Sequence, residues 1–232
     1  MENNEENKNN EKISIDTEEL RSETASTIEG VKESIKNVDI KKDTEETKNL
    51  LTDLFKNPVN KMKSIAKSEN KLLKIAIILI VIWTIAVFTK AVYTNISFSY
   101  FTFAKLFRNM LAILKSTIAP ILGIIAMSVT AFVMNKDKKK KLATIISTVT
   151  IARVPMIAAA IFSLLTIVSS NISSLTSSFT SFCRILSAIL LYFGFKGIFE
   201  EEEDNNFVKK FVLIIGIYYI ADFILSFLGI SI

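Results

Sequence analysis

Apolar stretches of about twenty residues recur through the last two thirds of this chain, each long enough to cross a hydrocarbon layer about 30 Å thick as a helix. A water-soluble domain interleaves polar surface with core every few residues, and this part of the chain does not. Half of the 232 residues are hydrophobic although the first seventy are rich in Glu, Lys, Asn, Ser and Thr, so the apolar residues are concentrated beyond that point. The pattern predicts an all-α, polytopic membrane protein with a polar arm over 1–70 and a bundle of about five spans over 71–232. The spans are placed at 72–92, 110–134, 142–168, 179–199 and 211–232. Lys115 and Arg184 interrupt the second and fourth. Both are read as lying near an outer end, where a long side chain reaches water or headgroups.

Charge sets the orientation. Residues 1–55 carry fifteen acids against eight Lys and Arg, whereas Lys56 to Lys74 holds six lysines against Glu69 alone. The collar Lys61, Lys63, Lys67 and Lys71, the run Lys138, Lys139, Lys140 and Lys141, and the segment with Lys196, Lys209 and Lys210 all fall on one side. That side is assigned to the cytoplasm and its anionic headgroups. The result is a multi-pass protein of the cell membrane with its N-terminus inside and its C-terminus outside, which requires an odd number of spans.

In the arm, Met1 to Lys12 is a low-complexity Asn/Glu/Lys tract expected to be disordered. Asp16 with Glu19 reads as a capping box, and Leu20, Thr24, Ile28, Val31, Ile35 and Val38 recur at helical steps. Gly30 weakens this helix. It is read as a marginal helix that frays in isolation, with a short coiled coil or a partner-docking helix as the functional alternative. A second helix is expected from Thr44, with a stripe of Leu50, Leu51, Leu54 and Phe55 ending before Pro58. Beyond Pro58, Val59, Met62, Ile65 and Ala66 share a face, which suits an interfacial helix or one packed on the cytoplasmic end of the bundle.

Histidine is absent and Cys183 is the one cysteine, which removes His-dependent triads, thiolate metal clusters and an intramolecular disulfide. No phosphate-binding glycine loop or nucleophile elbow is present. No catalytic residue, cofactor, metal or nucleic-acid partner is therefore expected. Cys183 reads as a packing residue. The acidic run Glu200 to Asp204 reads as a solvated loop, or one that meets Lys136 to Lys141.

The sharpest constellation is intramembrane. Arg153 lies twelve residues beyond Lys141 and Asp222 twelve beyond Lys210, on helices running the same way, so both sit roughly 18 Å above one lysine-marked level. They are expected to face each other or a shared polar cavity, either as a buried ion pair that docks two helices or as a polar path. Pro120 and Pro155 are candidate kinks in the second and third spans.

The phrase Leu54-Phe55-Lys56-Asn57-Pro58 followed by Ile65, the five closely spaced spans, and Ala152-Arg153-Val154-Pro155 in the third span together resemble the Yip1-domain family of membrane proteins. The Asp-Leu-Tyr-Gly-Pro signature of its eukaryotic members does not occur. The resemblance implies an all-helical, five-span, non-enzymatic protein that organises membranes or binds partners. Those partners are anionic lipid, a second copy or another membrane protein, and a cytoplasmic protein on the arm. The rival expectation is a small transporter, channel or permease subunit with its path at Arg153 and Asp222.

Overall fold

The structure, a computed structural model, describes residues 17–68, 72–95, 103–135, 140–200 and 203–227, with the backbone alone at 40, 103–106 and 225–227. The Met1 to Lys12 tract, Asp16, Lys71 and Lys136 to Lys139 lie outside the described residues.

Every regular element among the described residues is helical: α1 Thr17–Lys36, α2 Ile40–Lys56, α3 Pro58–Lys67, α4 Leu73–Asn95, α5 Phe103–Met134, α6 Leu142–Ala152, α7 Val154–Ser163, α8 Leu165–Val168, α9 Ser173–Ile198 and α10 Asp204–Phe227. A single 3-10 turn, Ser170–Ile172, leads into α9. Among the described residues, Leu73–Asn95, Phe107–Met134 and Ser170–Ile198 are each long and apolar enough to cross a membrane, and α6 with α7 and α8, bent by 46° at a short break, brings the number to four when counted as one span. The helix α10 covers the position of the fifth expected span as far as the described residues reach.

The arm differs most from expectation. Its second helix begins at Ile40 rather than Thr44, because Asp39 caps it: Asp39 Oδ1 accepts from the Lys41 and Lys42 amides at 3.2 Å. Asp43 Oδ2 accepts in return from the Asp39 amide at 2.8 Å. Asn57 then ends α2 and opens α3, accepting from the Asn60 amide at 3.4 Å with Pro58 in the first turn.

From there α3 turns into the bundle and lies across α9 and α6, not flat on an interface. Met62 and Ile65 are 0% and 1% exposed, and burying such a side chain stabilises by about 1.5–3 kcal/mol. The approach is close because α9 carries Gly194 and Gly197 there. A Cβ at Gly194 would lie 2.8 Å from Met62 Cε, and one at Gly197 would lie 2.8 Å from Ala66 Cβ. Leu50, Leu54, Met62 and Ile65 share one apolar core with Leu79, Ile145, Leu191 and Phe195 of the bundle, so among the described residues the arm and the bundle are built on a common core.

The first helix does not stand alone. It packs on α4 and α6, and it runs through Gly30, where the Leu73 side chain sits close. Its expected face is only partly turned in: Leu20 packs on the core and Val31 is half-buried. Thr27 is buried and Glu23 and Ser34 line the inner side, while Thr24, Ile28, Ile35 and Val38 are exposed. The polar face turns inward because it has work there: Glu23 Oε2 accepts from the Leu142 amide at 3.3 Å, serving one of the orphan donors at the start of α6.

Candidate functional site

The helical run expected to be the third span breaks at Arg153. Pro155 has no amide to give Ile151, and the residue before α7 settles at φ −86°, ψ 2°, outside the helix. The Met156 amide bonds the Arg153 carbonyl at 2.8 Å, which leaves the Ala152 carbonyl without its usual partner. Ser187 of α9, 1% exposed, supplies one through its hydroxyl at 2.8 Å. A broken helix is tolerated inside a bundle on these terms, with freed backbone groups satisfied by a neighbour. Pro120 differs, since α5 continues through it as one helix.

The elbow aims Arg153 into a cavity of about 380 Å³. Trp83 of α4, with Pro120 and Met127 of α5, forms part of the wall. Arg184 of α9 and Tyr218, Tyr219 and Asp222 of α10 complete its polar side. The guanidinium of Arg153 lies 5.3 Å from the centroid of the Tyr218 ring, and its Nη2 is 3.5 Å from the Met127 sulfur. The expected partners Arg153 and Asp222 thus line one cavity. Among the described residues, however, neither Arg153 nor Arg184 has a carboxylate within ion-pairing distance.

Arg184 corrects the sequence reading. The fourth span was expected to start at Phe179, which put this residue near an end, but α9 starts at Ser173. Arg184 precedes Lys196 by twelve residues, the same interval that separates Arg153 from Lys141 and Asp222 from Lys210. At 1.5 Å per residue, all three charges stand about 18 Å from their lysines, and each costs at least ~2.5 kcal/mol at mid-bilayer without compensation. The matching interval was the signal in the sequence. Tyr192 of α9 packs edge-on with Phe207 at 5.3 Å and Phe211 at 5.4 Å, holding α10 to α9.

At the lysine-rich end, the basic residues expected to face headgroups are partly engaged within the protein. Lys61 pairs with Asp53 at 2.8 Å and Lys67 with Glu200 at 2.8 Å, while Lys63 lines a small pocket with Lys196, Glu200 and Asp204. Lys141 caps α6 through its carbonyl, which accepts from the Thr144 and Ile145 amides at 3.0 and 3.2 Å. The hydrogen bond from Lys67 holds the Glu200 carboxyl below the usual range, helped by Lys140 and Lys63 nearby. The acidic run therefore does meet basic residues, though through Lys67 first.

Lys74, at the start of α4, is 2.8 Å from Asp43 Oδ1 and also donates to the Asn37 carbonyl, which ties the arm to the first span. Cys183 is 3% exposed and packs.

Among the described residues the fold is all-helical, with three to four helices long and apolar enough to cross a membrane and a partly open, charged pocket between them. Comparison with protein-family models, with curated proteins and with solved structures finds no match.

Proposed function

We propose that this chain is a non-catalytic, five-span protein of the cell membrane, of the Yip1-domain type, that organises membrane or binds partners through its arm. The N-terminus and the lysine-rich helix ends face the cytoplasm in this reading, and α10 is the fifth span. One observation carries it. The arm is fastened to the spans in part by polar contacts, Glu23 to α6 and Lys74 to Asp43, and while Leu20 packs on the core, Ile28 and Ile35 of α1 are 50% and 58% exposed and Val38 just beyond it 48%. An exposed stripe on a fixed helix is suited to helix-in-groove or helix-on-helix recognition by a cytoplasmic partner or a second copy.

The test combines topology with association. In a Cys183-free background, single cysteines at Ser173 and Ser231 react with an impermeant reagent from outside and one at Asn205 from inside. Ile28→Asp with Ile35→Asp releases whatever partner is crosslinked to α1 in cells. Labelling of Ser231 from inside removes the five-span reading, and unchanged crosslinking in the double variant removes the docking role.

A second reading, a small transporter, channel or permease subunit, is favoured by a separate observation: Arg153 and Asp222 line a cavity together. A cysteine at position 222 that reacts with a water-soluble reagent supports this path, and one that stays silent in the folded protein counts against it.

A further inference from the structure

The cavity wall carries two guanidiniums and one carboxylate, so its charged groups leave a positive excess. The partners of Arg153 among the described residues are the Met127 sulfur and the Tyr218 ring, and neither is an anion. The rest of the wall is matched to hydrocarbon, including Leu191 and Ile215. Paired guanidiniums recognise phosphate through two-pronged hydrogen bonds. A free anion in water has no use for apolar walls, whereas an amphiphile uses both surfaces. At about 380 Å³, the space equals roughly a dozen water volumes, enough for a headgroup but not for two acyl chains. Beside Arg184 on α9, Ile185 and Ile189 are exposed and give the chains an apolar flank.

We propose that this cavity seats the phosphate headgroup of an anionic membrane lipid, gripped by Arg153 and Arg184, with Tyr218 holding the Arg153 plane in place. The inference goes beyond the scaffold reading and rests on what both readings above share, that the bundle lies in a membrane.

Trp83 lines the cavity and is the one tryptophan in the chain, so its fluorescence reports the site directly. The purified full chain is reconstituted in vesicles containing phosphatidylglycerol or phosphatidylcholine with brominated acyl chains, which quench a nearby indole. The expected result is a preference for phosphatidylglycerol over phosphatidylcholine of roughly ten-fold, falling to about parity in R153Q/R184Q. Unbrominated phosphatidylglycerol should also relieve the quenching in the wild-type chain, a measurement that needs no variant. Equal quenching by the two lipids in the wild type, or a preference that survives in R153Q/R184Q, overturns the proposal. Relief by millimolar inorganic phosphate overturns the lipid as occupant in favour of a soluble anion. Absence of quenching by either lipid overturns the membrane embedding itself, and the site with it.

Discussion

A single methyl group at Gly197 tests how closely the arm is set into the bundle. In Gly197→Ala the new Cβ would lie 2.8 Å from Ala66 Cβ, 3.0 Å from Lys63 Cα and 3.3 Å from the Lys63 carbonyl oxygen. Carbon atoms pack best at about 3.5–4.0 Å, and two of these three neighbours are backbone that cannot rotate aside. Helix α3 must therefore shift away from α9, at the ~1–3 kcal/mol typical of overpacking. Alanine returns about 1 kcal/mol through its better helix propensity. Gly216→Ala has the same propensity gain and nothing within 4 Å of the new Cβ, so the difference between the two variants isolates the contact. That difference is about 1–3 kcal/mol, or a gap in Tm of roughly 2–12 °C for a chain of this size. Thermal unfolding in one detergent measures it, and faster tryptic cleavage at Lys63 and Lys67 locates it. Adding Ala66→Gly to Gly197→Ala should recover only part of the loss, since the Lys63 backbone remains in the way. Equal Tm values for Gly197→Ala and Gly216→Ala would refute the close approach of the two helices.

Three further outcomes are expected. Ser187→Ala removes the donor to the Ala152 carbonyl, leaves that group buried and unpaired, and lowers stability by about 1–2 kcal/mol, measured by denaturant or thermal unfolding; Ser187→Thr, which keeps the hydroxyl, loses less. The hydrogen bond from Lys74 holds the Asp43 carboxyl below its usual value against the opposing effect of desolvation, so its contribution to docking the arm is present above the unfolded value of about 4. It is lost as pH falls through the lowered folded value, and proteolysis of the arm should rise over that window in the wild type and show no such step in Asp43→Asn. Because Arg153 and Asp222 line one cavity, Arg153→Gln and Asp222→Asn should couple in a double-mutant cycle by about 0.5–3 kcal/mol, and additivity to within about 0.5 kcal/mol would refute a shared role for the two charges.

What the sequence revealed depended on the range of the interactions concerned. Apolar run length reveals the membrane helices because the bilayer imposes it locally, and the lysines beside those runs were enough to bring Arg153 and Asp222 to one level. The same reasoning missed Arg184, since the polar segment before Phe179 reads as a loop. It is helical nonetheless, and its hydroxyls are satisfied by bonding backward onto the preceding turn, Thr176 to the Ser173 carbonyl at 2.8 Å and Thr180 to that of Thr176 at 2.7 Å. The inward face of α1 was not legible either. Its partner for Glu23 is the Leu142 amide, 119 residues away, and a polar face serving a distant helix end looks like a solvated one. Gly194 and Gly197 stood in plain view three residues apart, but nothing local announces that α3 is what crosses them. The Arg153–Pro155 phrase did announce a distortion, and its size reflects the amide that Pro155 lacks.

The seat of α3 on α9 also sets a timetable for synthesis. Roughly 130 residues separate Ala66 from Gly197, so at ribosomal rates of about 5–20 residues per second the arm waits on the order of ten seconds or more for its landing site to be made. During that interval Met62, Ile65 and Ala66 have at most α6 to pack on and lack the α9 side of their seat. Of the described helices, the three in the arm leave the ribosome first, yet the seat of α3 is complete only when α9, the last but one, has been made.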